Sequence, residues 1–347
     1  MAIYEYNTWQ TINLPVVSGD THFIIYDHTT STPGDDLTGI VYSGMVVDGY
    51  RIQNLNDILS QYVIPSQLSF ISSIQPDNSI SSKFYIYYTQ DDWTTSTYDT
   101  IILNYDWSYD NNVRSILSDP VMDLLDYRQF LLYSIKTATP DMVTYVTVKL
   151  ENRTIDSFQI SGYTHYNYVK DLSQLTYPGE FSYAYSYDFL VDRSTMVPGT
   201  YNTLTIGNAK YIVTNTCYRY CLYYQNQYGG WDSLLFRGKE IQKDNLSRLS
   251  YKKNYVSQST DFNKVDYLTT INESWELSTS YLDDTQSSKM INLLASNRMY
   301  LHDLSTGKIN PVNVTNSVCE HKTYKNQGRK MASYTVTVSA SQPKYRV

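Results

Sequence analysis

Apolar and polar residues alternate with period two over much of this chain, and turn residues interrupt them at short intervals. The runs at 21–27 (THFIIYD), 39–47 (GIVYSGMVV), 83–89 (KFYIYYT), 99–106 (DTIILNYD), 142–150 (MVTYVTVKL), 154–160, 181–189 (FSYAYSYDF), 217–224 (CYRYCLYY) and 332–339 (ASYTVTVS) read as strands. Residues 275–280 and 299–302 add two more. Asp48-Gly49, Gly207-Asn208 and Gly229-Gly230 are hairpin signals, and Pro198-Gly199 and Ser305-Thr306-Gly307-Lys308 are turns. Helical spacing occurs twice. Ile58, Leu59 and Tyr62 follow a plausible N-cap at Asn56 and stop at Pro65. Met290, Leu293 and Leu294 form one apolar face over about 284–297, behind a cap at Asp283-Asp284.

This pattern predicts a mainly β chain of two or three tandem Ig-like β-sandwich domains with a few short helices. Polar links divide it into an N-terminal β-domain with a short closing helix (1–72), a middle β-sandwich (73–214) and a C-terminal β-domain with one helix (215–347). No internal repeat suggests a solenoid or propeller.

Composition sharpens the picture. The chain has 37 tyrosines in 347 residues, against five histidines and three cysteines. Tyrosine favours strands and wet interfaces, whereas histidine and cysteine carry most nucleophilic, acid–base and metal chemistry. Charged residues are only 18% and the net charge is −7, so no nucleic-acid footprint is expected. The basic stretch at 237–253 is interrupted by Glu240 and Asp244 and reads as a solvated strand or loop. No signal-peptide core or membrane span is visible. Cys217, Cys221 and Cys319 make no disulfide framework. The sequons at Asn152, Asn245, Asn272 and Asn313 read as chance.

Motif chemistry is sparse. No GxGxxG, P-loop or HExxH occurs. Cys217 and Cys221 read as core thiols, and Cys319-Glu320-His321 has no ligand spacing. His22, His28, His165, His302 and His321 lack a nucleophile elbow and read as surface histidines. No catalytic, cofactor-binding or metal residues are therefore expected, although paired carboxylates for glycoside hydrolysis remain open. The candidates are structural or interfacial. Gly229 and Gly230 permit a tight turn over the Trp231 indole, and Trp107 and Trp275 act as similar anchors. The aromatic clusters 163–168, with Tyr163, Tyr166 and Tyr168, and 183–187 could serve a core and a protein interface, or a glycan platform. Turn-flanking Tyr163, Tyr228 and Tyr281 are expected to meet other subunits.

Several phrases, in this order, resemble the tail and connector-type virion proteins of phages and prophages of Bacteroidetes, the crAss-like phages among them. They are Gly39-Ile40-Val41-Tyr42, the segment 55–63 (LNDILSQYV), Asn104-Tyr105-Asp106-Trp107, Ser118-Asp119-Pro120 with Asp126-Tyr127-Arg128-Gln129, and Tyr228-Gly229-Gly230-Trp231-Asp232 leading to Phe236. The last phrase is 296–303 (SNRMYLHD), where Asn297-Arg298 stands in place of the family's proline. The resemblance implies a non-enzymatic virion subunit, made in the bacterial cytoplasm. It would assemble with itself, in a ring of about six or twelve copies, and with other tail or portal-complex proteins. A host-surface or glycan-binding tail adhesin is the alternative, and a glycan depolymerase a third reading.

Overall fold

The computed structural model describes side chains at residues 63, 67–77, 115–136, 143–161, 165–178, 201–216, 218–253, 258, 263–279, 281–316 and 332–345. It describes the backbone alone at 3–7, 14–15, 22–27, 40–43, 50–52, 81–89, 95–104 and 346. Trp107, Tyr163, Cys217, Cys319, His28, His321, the predicted helix at 56–62 and the aromatic run at 183–187 lie outside these residues.

The protein is mainly β, as its alternation predicts. In the first sheet, β1 (Ile3–Asn7), β8 (Thr95–Asn104), β7 (Ser81–Thr89), β3 (His22–Asp27) and β4 (Ile40–Ser43) lie side by side in that order. Pairing in this sheet therefore runs across residue 72. β1 is parallel to β8, and the other pairs are antiparallel. β2 (Leu14–Pro15) pairs with β5 (Tyr50–Ile52). The hairpin signal at Asp48-Gly49 lies outside the described residues; the strands on either side of it, β4 and β5, pair with β3 and β2.

A small antiparallel sheet follows the order β10 (Phe130–Lys136), β13 (His165–Asp171), β6 (Ser73–Asp77). It lies between two of the other sheets. Along β10, Leu131, Tyr133 and Ile135 point one way and Phe130 and Leu132 the other, as strand geometry requires. The first set packs on the sheet β12 (Arg153–Ser161), β11 (Val143–Leu150), β14 (Tyr201–Ile206), β15 (Ala209–Thr214), β9 (Leu124–Asp126), meeting Val148, Ile160, Leu204 and Val213. The second set packs on the largest sheet, meeting Cys221, Tyr223, Trp231 and Leu235. One three-stranded sheet thus serves two cores.

The largest sheet runs β17 (Trp231–Leu235), β16 (Tyr220–Gln225), β20 (Met299–Asp303), β21 (Lys308–Val314), β22 (Thr335–Ala340), β19 (Lys264–Ser278), β18 (Glu240–Lys252), with β23 (Lys344–Arg346) also on β19. Its face away from the middle sheet carries Leu222, Tyr224, Leu234, Leu301, Val336 and Val338. Those residues are covered by Leu282, Val121 and, through Met290 and Leu293, the short helix α2 (Met290–Leu294), which follows another single turn, α1 (Asp284–Ser288).

The helix expected at 284–297 is therefore two single turns meeting at Lys289. Asp283 caps α1 as predicted. Its side chain accepts from the Gln286 N–H at 2.7 Å, and the Gln286 side chain accepts from the Asp283 N–H at 3.1 Å. The helical run stops early because Ser296 is held at the end of β16. Its Oγ accepts from the Gln225 N–H at 3.1 Å and donates to the Arg298 carbonyl at 2.9 Å.

Candidate interface sites

The phrase Gly229-Gly230-Trp231-Asp232 forms the turn from β16 into β17 and the start of β17. Gly229 has φ +82, in the left-handed region that glycine tolerates. Gly230 is glycine for another reason. A Cβ there would lie 2.6 Å from the Leu117 carbonyl oxygen, so the turn presses directly on the segment 115–120. Trp231 is fully buried between the largest and middle sheets.

Polar groups weld this turn in place. The Asn226 side chain uses its whole hydrogen-bonding capacity. Its Oδ1 accepts from the N–H groups of Tyr228 at 2.9 Å and Gly230 at 3.0 Å. Its Nδ2 donates to the Leu117 carbonyl and to Asp232 Oδ2, both at 2.6 Å. Asp232 also accepts from the Asp119 N–H at 3.0 and 3.1 Å. The Trp231 N–H donates to Ser134 Oγ at 2.8 Å, and Ser134 Oγ donates to Asn167 Oδ1 at 2.6 Å, which reaches the middle sheet. Lys289 closes the arrangement by an ion pair to Asp119 at 2.7 Å. Burial pushes the Asp232 carboxyl up to about 7 despite these donors. Tyr228, expected at a subunit contact, is buried in this turn.

A second weld joins the sheet containing β15 to β16. The Arg128 guanidinium grips the buried Asp126 carboxylate through Nε at 2.8 Å and Nη2 at 3.0 Å, a two-pronged charge-assisted contact. The same Nη2 donates to the carbonyls of Thr216 at 2.7 Å and Tyr218 at 3.1 Å, while the Thr216 hydroxyl also bonds Asp126.

The aromatic cluster at 163–168 is not an open platform where it is described. Tyr168 is a core residue. It stacks on Phe158 with ring centroids 5.0 Å apart, and its hydroxyl donates to Asp156 at 3.0 Å. Tyr166 is half-buried against the same core. The histidines described with side chains are buried too, which corrects their surface assignment. His165, beside Lys136 on the neighbouring strand, is pushed down to about 3, first by burial and then by that lysine. His302 is pushed down to about 4 by burial. His302 Nδ1 and the Tyr223 hydroxyl share a hydrogen bond at 3.0 Å, and that hydroxyl accepts from the Phe130 N–H at 2.9 Å. A neutral imidazole in a fixed tautomer suits such a chain. Burial also raises the Cys221 thiol well above its ordinary value, which makes it a poor nucleophile. Among the described residues, no group of three His, Cys, Asp or Glu side chains could hold a metal ion.

The sequence gives little notice of one exposed feature among the described residues. β18 and β19 pair from Glu240↔Leu277 to Lys252↔Lys264, with one register shift between Leu249 and Ser250. At the root, Trp275 and Leu277 are buried in the core and β22 flanks residues 274–278. β23 flanks only residues 269–271. Nothing among the described residues flanks the ribbon beyond that point. From Ser274 to Lys264 the arm reaches about 33 Å at roughly 3.3 Å per residue. Leu246, Leu249, Tyr251 and Tyr267 on it each keep half or more of their surface in solvent. A β-bulge after Leu249 brings Tyr267 beside Tyr251, with ring centroids 6.3 Å apart. The reading of residues 237–253 as a solvated strand is accurate, but it does not reveal that this strand is one side of an arm.

Compared with protein-family models, with curated proteins and with solved structures, the chain gives no match.

Proposed function

We propose that this chain is a non-enzymatic structural subunit of a phage virion, built into a ring or tube of the tail or head–tail connector together with copies of itself and other virion proteins. The observation that carries this reading is the β18–β19 arm. A two-stranded ribbon is only marginally stable alone in water, and this one holds four large apolar side chains out into solvent. A neighbouring chain that covers them is the economical explanation. The motif resemblance supports the same reading, since its strongest phrase forms the turn that joins two layers of the body.

The rival reading, a glycan-binding adhesin, calls on the 163–168 tyrosines as a stacking surface. It loses support from the burial of Tyr168 and the half-burial of Tyr166. No helix among the described residues is long and apolar enough to cross a membrane.

The test is the mass of the purified chain in solution, measured by sedimentation across a wide concentration range and paired with images of the particles formed. Closed rings or tubes are expected. A monomer at every concentration overturns the proposal.

A further inference from the structure

The outer edge of the arm is self-complementary in charge. β18 ends the order of its sheet, so β19 holds one edge, and no strand holds the other among the described residues. Such an edge offers backbone N–H and C=O groups to another strand. β18 contains no proline and keeps its alternation, because the extra residue of the bulge is Tyr267 in β19. Glu240, Asp244, Leu246, Arg248 and Lys252 therefore share one face.

When a second β18 is laid antiparallel along that edge, with Leu246 opposite Leu246, all thirteen residues overlap. Asp244 of each copy then faces Arg248 of the other, and Glu240 of each faces Lys252 of the other. Both pairs occur twice, giving four opposite-charge pairs and no like pair. Every other antiparallel register of β18 on itself gives two opposite pairs at most. Opposite charges stabilise a cross-strand pair, and like charges destabilise it. Within one copy the ribbon does the reverse. Asp244 faces Glu273 and Lys252 faces Lys264. Arg248 has only a long contact, 3.8 Å to Asp266. Charges on an edge strand commonly bar pairing, but the spacing of these admits one register.

Resting on the assembly reading above, we propose that β18 of one copy pairs antiparallel with β18 of a second copy, about a two-fold axis at Leu246. The backbone ladder and the half-exposed Leu246, Leu249 and Tyr251 supply the contact, and the charges set its register. Glu240 is half-buried beside Arg219, so the outer charge pairs form at the rim of each body. A two-fold contact saturates at two copies. Paired arms thus join copies two by two, and ring closure takes a further surface.

The test uses the full chain, with sedimentation at low salt to read association and circular dichroism to check the fold. Asp244→Arg should weaken self-association by about tenfold or more, because it sets arginine against Arg248. Arg248→Asp should do the same by setting aspartate against Asp244. One change raises the net charge and the other lowers it, so a shared loss reports the local pair. Asp244→Arg combined with Arg248→Asp restores both pairs in this register and should bring association back to within about threefold of the unmodified chain. All three variants should keep the unmodified spectrum, since both side chains are exposed. Single reversals that leave association unchanged, or a double variant as weak as the singles, overturn the arm pairing. In those cases the unmodified chain still forms oligomers, and the assembly reading stands. A monomeric unmodified chain sinks both.

Discussion

Two antiparallel hairpins of the same sheet, β16–β17 and β18–β19, live in opposite surroundings. Every residue of β16 and β17 is buried, because the middle sheet covers one face and α2 and the segment around Val121 cover the other. Their side chains read accordingly: YCLYYQ and WDSLL, largely apolar on both faces, with Gln225, Asp232 and Ser233 buried among them. β18 reads EIQKDNLSRLSYK and has no buried residue. β19 carries both regimes along one strand, with Trp275 and Leu277 locked in the core and Tyr267 in solvent. The contrast separates two uses of the same element. The inner hairpin holds the body together, and the outer one is available to something outside it.

If that division is right, the inner hairpin should be costly to damage. Trp231→Ala should lose about 3–5 kcal/mol of unfolding free energy, the range for removing a large buried aromatic, measured by denaturant titration. A loss below about 1 kcal/mol would mean that the layers do not depend on this contact. Gly230→Ala should cost less, about 1–3 kcal/mol, because the new methyl runs into the Leu117 backbone and the segment must shift. Gly307→Ala offers a control. A Cβ there meets nothing within 4 Å, so only its φ of +70 is penalised.

The sequence makes some of this division legible. Period-two alternation marks most strands, and Gly207-Asn208, Gly229-Gly230 and Thr306-Gly307 mark three hairpins that form. The Asp283 cap is visible in the Asp-x-x-Gln spacing. The double burial of β10 and β16 is harder to see, because a strand apolar on both faces looks the same whether its second cover is a sheet or a helix. The roles of Asn226 and Asp232 are not legible, since their partners at Leu117 and Asp119 lie more than a hundred residues away in sequence. The arm is not legible because projection depends on which strands flank it. Leu246, Leu249 and Tyr251 among polar neighbours are its only trace in the sequence.

Titration gives a gentler probe of the same contrast, since the shifted groups belong to the body. His165 and His302 stay neutral in the fold down to about pH 3 and 4, whereas in the unfolded chain they take up protons below about 6.5. Their contribution is complete above 6.5 and is lost as pH falls. Asp232 acts in reverse. It keeps its proton in the fold up to about 7 and releases it when unfolded above about 4, so its contribution fades as pH rises. Between about pH 4 and 6.5 the histidines bring nearly two protons to unfolding and Asp232 gives one back. Stability should fall on acidification by about 1.4 kcal/mol per pH unit. Asp232→Asn should steepen that slope towards two protons, and a slope unchanged by the substitution would remove Asp232 from the account.

The smallest effect on folding should come from the arm, and it is the most informative. Leu249→Ser and Tyr267→Ser replace side chains that already face water, so unfolding free energy should move by no more than about 0.5 kcal/mol. Association should respond differently. Each substitution removes burial that assembly would add, and burying the exposed half of a side chain of this size contributes about 0.8–1.5 kcal/mol, enough to weaken self-association roughly four- to tenfold. The paired measurement is a denaturant curve and a sedimentation series on the same variants. Unchanged folding with weakened assembly upholds the division. Loss of folding stability to match the Trp231 variant would mean that the arm lies against its own body in solution, and the two hairpins would then differ only in degree.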